Sequence, residues 1–315
     1  MVALFLLFVS EVYGFNYTVS GFGSGANFAH QLHIAHSGTV IGAGLVAPSP
    51  YYCAMGSMAR AATACRVNSY LLNLESMILY TINAATASSI DNVKDISNDR
   101  VFILSGLYDK TVPQSTVSVT LQYYQNFITN SYKIDSVFNL FAGHGWVTDN
   151  AGGPCWASTA PFIINCGYDM ASYMLTFLIG NLNPKTLQIP TNLMSFDQSD
   201  YVDIWQAGLS TRGFVYLPQY CVTNNDCFIH MAFHGCRQNY DMVGDVFVRE
   251  SGLNEWAESN KIIVIYPQTV ATSGNLDGCW DYWGYTGANY TYQSGLQIYA
   301  VNQMAIKPPH VLWSN

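Results

Sequence analysis

Nearly continuous apolar runs alternate along this chain with amphipathic stretches, and glycines mark many of the junctions. Tyr17-Thr18-Val19-Ser20 reads as a short strand, and the helix after it begins in Ala26-Asn27-Phe28-Ala29-His30-Gln31-Leu32. Val40-Ile41-Gly42-Ala43-Gly44-Leu45-Val46, Val101-Phe102-Ile103-Leu104 and Val137-Phe138-Asn139-Leu140-Phe141 predict three further strands. Runs this apolar suit strands covered by helices on both faces. A helix is predicted from about 170 to 179, stopped by Gly180. Positions 181–203, with Pro184 and Pro190, read as a linker-like surface segment. A second set of strands follows in Phe214-Val215-Tyr216-Leu217, Phe228-Ile229-His230-Met231-Ala232-Phe233 and Ile262-Ile263-Val264-Ile265-Tyr266. Between the last two lies a helix carrying Leu253, Trp256 and Ala257. Strands alternating with helices predict an α/β fold with a central, mostly parallel sheet flanked by helices.

Composition narrows the class. Half of the 315 residues are apolar and 10% are charged, so a sizeable core is within reach. Twelve basic residues against twenty acidic ones give a net charge of −8, with no basic cluster, which argues against nucleic acid as a partner. Val2-Ala3-Leu4-Phe5-Leu6-Leu7-Phe8-Val9 is too short for a membrane span but suits the core of a secretory signal. Val12 and Gly14 offer small residues for cleavage, although no Lys or Arg precedes the run. The expectation is a signal peptide over 1–14 and one domain over 15–315; a buried first strand is the alternative. Asn16-Tyr17-Thr18 and Asn289-Tyr290-Thr291 are glycosylation sequons compatible with secretion.

Eight cysteines fall in local groups: Cys53 and Cys65, Cys155 and Cys166, Cys221 and Cys227, Cys236 and Cys279. No C-x-x-C occurs, so a structural zinc site is not expected. Pairing each with its neighbour would close four loops, each stabilising by about 2–4 kcal/mol on a chain-entropy view. An oxidising compartment follows if these bridges form, and a secreted, extracellular protein with it. Eight free thiols is the alternative.

The candidate chemistry centres on Gly21-Phe22-Gly23-Ser24-Gly25. The strand-to-helix elbow of an α/β-hydrolase reads G-x-S-x-G, and here the glycines hold the first and fifth positions while the nucleophile position is Gly23. Shifting the register to make Ser24 the nucleophile puts the bulky Phe22 where the turn wants a small residue. Asp109, in Ser105-Gly106-Leu107-Tyr108-Asp109, and His144, in Ala142-Gly143-His144-Gly145-Trp146, each follow a predicted strand. Elbow, Asp, His is the α/β-hydrolase order. In that chemistry the imidazole takes the nucleophile's proton, and the carboxylate orients it and stabilises the cation formed. A backbone N–H of His234-Gly235-Cys236, with that of Ser24, could face a developing oxyanion, one such donor being worth about 2.7–4 kcal/mol. This loop usually precedes the elbow; here it follows, the order expected of a circular permutation. His30, His33 and His36 drift around the elbow helix with no carboxylate among them, so no metal site is expected. A Cys236–Cys279 bridge would hold the cluster Trp280-Asp281-Tyr282-Trp283-Gly284-Tyr285 beside the oxyanion loop, making Trp280 and Trp283 candidates for substrate contact.

From about Phe15 to the C-terminus the chain resembles the single-domain, circularly permuted extracellular poly(3-hydroxybutyrate) depolymerases of fungal type. The resemblance rests on Val19-Ser20-Gly21-Phe22-Gly23-Ser24-Gly25, Tyr52-Cys53-Ala54, Ser105-Gly106 with Asp109-Lys110-Thr111-Val112, and Gly143-His144. Ser158-Thr159-Ala160-Pro161-Phe162-Ile163 with Asn165-Cys166, Leu217-Pro218-Gln219, His234-Gly235-Cys236 with Gln238, Tyr266-Pro267-Gln268 and Gly278-Cys279-Trp280-Asp281 add to it. The resemblance implies Asp109 and His144 as acid and base, Ser24 and Cys236 as oxyanion amides, local disulfide pairing, and Trp280 at the substrate crevice. It further implies cleavage of a polyester or small ester through an acyl-serine, with no metal or cofactor, by a monomer. The family's nucleophilic serine aligns with Gly23, and Gly145-Trp146 also departs from the family's habit. The expectation is therefore a secreted depolymerase-like ester hydrolase with activity lost or strongly reduced. A non-catalytic protein holding a polyester or other apolar ligand in the retained crevice is the alternative, and an esterase working through Ser24 a third.

Overall fold

Strands form where the apolar runs stand. The computed structural model describes residues 16–309, and the expected signal peptide over 1–14 lies outside the described residues. The strands are β1 (Tyr17–Phe22), β2 (Val40–Val46), β3 (Arg100–Leu104), β4 (Ile134–Val137), β5 (Trp146–Thr148), β6 (Gly153–Pro154), β7 (Ile163–Asn165), β8 (Leu193–Asp197), β9 (Arg212–Tyr216), β10 (Phe228–Phe233) and β11 (Ile262–Tyr266). Eight of them form one sheet in the order β4-β3-β2-β1-β10-β11-β9-β8, and β5, β7 and β6 form a small second sheet. From β4 to β11 every pairing is parallel; β9 pairs antiparallel with both β11 and β8. The first five α-helices are α1 (Ser24–Ala35), α2 (Met58–Ala62), α3 (Leu74–Thr86), α4 (Gln114–Phe127) and α5 (Met170–Ile179). α1 packs on β1, β2 and β10, α5 on β2 and β3, and helix Leu253–Asn260 on β11. Asp169 accepts from the Ser172 N–H to start α5, and Gly180, at φ 115°, ends it, so the predicted helix forms between those two signals.

β1 and β10 lie side by side at the centre and are buried along almost their whole length. Polar residues in such strands need partners. His230 supplies them, bonding Thr18 Oγ1 through Nδ1 and Ser20 Oγ through Nε2, both at 2.8 Å. Burial lowers the pKa of His230 to about 3, so this imidazole sits neutral between the strands. One contiguous cluster of buried apolar side chains runs through both faces of the sheet.

Two expectations need correction. The strand predicted at 137–141 runs instead over Ile134–Val137, because its partner β3 ends at Leu104 opposite Val137 and leaves no ladder beyond. The stretch read as a linker contains β8, an antiparallel edge strand in which Phe196 alone is buried. The preceding residues are tied to the molecule as well: Asn183 N–H donates to Asn260 Oδ1 at 2.6 Å and Ile189 N–H to the Tyr216 hydroxyl at 2.9 Å. All eight cysteines are bridged, Cys53–Cys65, Cys155–Cys166, Cys221–Cys227 and Cys236–Cys279. Among the described residues no helix is long and apolar enough to cross a membrane.

Candidate active site

The turn between β1 and α1 is built by exclusion of side chains. A Cβ on Gly21 would lie 2.2 Å from the Gly25 carbonyl oxygen, and one on Gly25 would lie 2.3 Å from the Phe233 carbonyl oxygen. Only glycine lets strand, helix and the end of β10 approach this closely. Between them Gly23 takes φ 55° and ψ −116°, its N–H donating to Val46 O at 2.9 Å and its carbonyl accepting from Asn27 N–H at 3.0 Å. A Cβ added there would stand 3.5 Å from His144 Nε2 and 3.7 Å from His144 Cε1, with no further heavy atom of the described residues within 4 Å outside the chain neighbours. A hydroxyl one bond beyond that Cβ comes within hydrogen-bonding reach of the ring nitrogen.

His144 and Asp109 meet because their loops are zipped together. Ser105 N–H donates to Val137 O, Leu107 N–H to Leu140 O and Tyr108 N–H to Ala142 O, each at 2.9 Å. His144 Nδ1 lies 2.7 Å from Asp109 Oδ2, while Asp109 Oδ1 accepts from the N–H groups of Thr111 and Val112 at 2.8 Å each. The backbone N–H of His144 donates to Ser158 Oγ at 2.8 Å, and the ring leans on Phe22 with centroids 4.5 Å apart. Gly143 N–H donates to Cys155 O at 2.8 Å, so the Cys155–Cys166 segment braces the histidine loop. The carboxylate side chain is 1% exposed and the imidazole 12%, which leaves the ring's Nε2 edge facing the cavity. Trp146 is fully buried, donating to Ser251 O at 2.8 Å, so the departure after the histidine serves the core.

Opposite the imidazole, Gly235-Cys236-Arg237 leaves the end of β10. Gln238 holds this loop, its Oε1 accepting from Gly235 N–H at 2.8 Å and its Nε2 donating to Pro161 O at 2.8 Å. Among the described residues no acceptor takes the backbone N–H of Ser24 or Cys236. Both residues line a cavity of about 310 Å³ together with Phe22, Gly23, His144 and Trp283. The Ser24 hydroxyl is turned away from the histidine and accepts from Trp280 N–H at 3.3 Å.

Trp280 is a correction. It does not line the cavity: it is fully buried, stacked on Phe28 with centroids 4.3 Å apart and edge-on to Phe233 at 5.1 Å. The Cys236–Cys279 bridge brings Cys279 to the cavity wall, and the next side chain turns inward onto α1 and β10. Trp283 does line the wall, and Asp281 sets its place. That buried carboxylate accepts from the N–H groups of Trp283, Gly284, Tyr285 and Thr286 and from the Thr286 hydroxyl. Burial raises its pKa and these donors oppose the rise. Sequence reasoning missed Asp281 as an anchor, although its place inside an aromatic cluster was a signal. It also missed the wall from α2 and the residues after it, Met58, Ala62 and Arg66, whose approach is set by tertiary packing. His33 and His30 point into the protein: His33 Nε2 meets Asp99 Oδ2 at 3.0 Å, and His30 stacks on Tyr124.

No family profile matches the sequence. The chain is 37% identical over 295 residues to a poly(3-hydroxybutyrate) depolymerase of Delftia acidovorans, covering 91% of this chain and 58% of that one. It thus spans less than two thirds of the Delftia protein's length. It is 32% identical over 303 residues to a polyhydroxybutyrate depolymerase of Talaromyces funiculosus, covering 90% of this chain and 86% of that one. Among solved structures, the PHB depolymerase of Penicillium funiculosum superposes with a TM-score of 0.85 at 28% identity, covering 95% of this chain and 98% of that chain. A serine-to-alanine PHB depolymerase variant complexed with an R3HB trimer gives the same TM-score at 29% identity and the same coverage.

Proposed function

The chain belongs to the poly(3-hydroxybutyrate) depolymerase family, with its α/β-hydrolase fold, and from that membership we propose a secreted protein that binds a polyester or small ester at an acyl-transfer site lacking its nucleophile. Asp109 and His144 are the acid and base, Ser24 and Cys236 the oxyanion amides, and Trp283 a substrate contact. Gly23 stands where the acyl-serine would form, so ester hydrolysis is lost or strongly reduced. The observation that carries this reading is the Gly23 backbone, held at φ 55° with its missing side chain aimed at His144 Nε2. Four disulfides support an oxidising destination. A circular permutation accounts for the placing of the oxyanion loop, whose strand lies beside β1 yet follows it so late that paired Ser20 and His230 are 210 residues apart.

The test is p-nitrophenyl butyrate hydrolysis by the wild-type protein beside a Gly23→Ser variant. The variant should exceed the wild type by on the order of 10³-fold or more, the scale of removing a triad nucleophile. Equal rates would place the nucleophile elsewhere and sink the reading. Binding without turnover is the second reading, favoured by an intact cavity walled by Phe22, Phe162 and Trp283. Failure of the wild-type protein to adsorb to polyhydroxybutyrate granules would remove its support.

A further inference from the structure

Among the described residues, the only heavy atoms within 4 Å of a Cβ at Gly23, outside the chain neighbours, are Nε2 and Cε1 of His144. The cavity that opens onto this spot holds about 310 Å³, roughly ten times the ~30 Å³ one water takes up in the liquid. Three serine hydroxyls on the cavity wall have partners other than the imidazole. Ser24 Oγ accepts from Trp280 N–H, Ser49 Oγ donates to Cys65 O, and Ser158 Oγ accepts from His144 N–H. Among the described residues no side-chain hydroxyl bonds His144 Nε2, whose ring is fixed from the other side by Asp109. A base held in place, two donor amides and room for a small molecule between them make a site whose nucleophile need not belong to the protein.

The geometry points to direct acyl transfer from a bound ester to a small external nucleophile, water or a short alcohol, seated beside Gly23 and deprotonated by His144. This rests on the reading of Gly23, Asp109 and His144 given above and extends it to a different reaction course. The nucleophile's oxygen bonds to the ester carbonyl carbon, its proton passes to His144 Nε2, and the carbonyl electron pair moves onto the oxygen facing the Ser24 and Cys236 amides. The intermediate then collapses: the bond to the leaving oxygen breaks, and that oxygen takes the proton back from His144. Water gives the acid and an alcohol gives a new ester. No bond to the protein forms at any stage. A serine at position 23 would occupy the seat and divert the reaction through an acyl-enzyme. Glycine, the smallest residue, leaves more room there than alanine would.

The test follows p-nitrophenol release from p-nitrophenyl butyrate by the wild-type protein, with and without methanol, while methyl butyrate is quantified and protein mass recorded. Turnover should exceed the protein-free rate and, in methanol, yield methyl butyrate with no adduct on the protein. It should fall about tenfold in Gly23→Ala, whose methyl takes the seat, and about 10²-fold in His144→Ala. Gly23→Ser imposes the same backbone demand as Gly23→Ala and controls for folding; should Gly23→Ala not fold, the His144→Ala rate decides. A wild-type rate equal to the protein-free rate overturns the inference, as does a folded Gly23→Ala that keeps the wild-type rate. If the wild type is silent while Gly23→Ser turns over, only this inference falls. If both are silent, the reading of the site falls with it.

Discussion

Asp109 and His144 stand on two loops that fasten to each other, whereas the β1–α1 turn holds its geometry with glycine at its centre. On the first side, the carboxylate is met by two backbone N–H groups and the imidazole. On the second, Gly21 and Gly25 still permit the close crossing, and Gly23 still holds the positive φ of the elbow. The difference teaches that backbone conformation and side-chain chemistry are separable at such a turn. The conformation is enforced by packing of strand, helix and β10 and needs no side chain at residue 23. A hydroxyl placed on residue 23 would meet His144 already paired with Asp109.

The comparison breaks most visibly if the dyad is only structural. In a Gly23→Ser background, Asp109→Asn should lower kcat by on the order of 10⁴-fold with little change in the melting temperature, measured by ester turnover and thermal unfolding. A variant that keeps its rate would make the carboxylate a mere brace. The two tryptophans beside the oxyanion loop sharpen the contrast between scaffold and site. Trp280→Ala should cost about 3–5 kcal/mol of stability in denaturant unfolding, since it empties the space between Phe28 and Phe233. Trp283→Ala should weaken ester binding by about 1 kcal/mol, read as a raised KM in the Gly23→Ser background, whereas Trp280→Ala should leave KM unchanged. The opposite assignment of effects would return Trp280 to the crevice.

How much of this was legible in the sequence depends on how local the cause is. The elbow could be read because its glycines act within five residues, and α5 because its cap and stop are adjacent to it. Asp109 and His144 could be placed at the carboxyl end of the sheet because each follows an apolar run. The end of β4 could not, since it depends on where β3 stops. β8 escaped because only Phe196 among its residues is buried, so its pattern resembles a surface loop. The burial of Trp280 depends on Phe28, some 250 residues away in sequence, and no local pattern encodes which way an indole turns after a bridged cysteine. Asp281 anchors four successive N–H groups, a role visible only once the loop has curled around it.

The proposed function requires that the site lack one hydroxyl and nothing else. Its most direct test is the intact mass of the wild-type protein and of Gly23→Ser after exposure to a serine-directed phosphonate, followed by peptide mapping. One adduct per variant molecule, on residue 23, and none on the wild type is the expected result. An adduct on the wild-type chain, or an unlabelled Gly23→Ser that is folded, would contradict it.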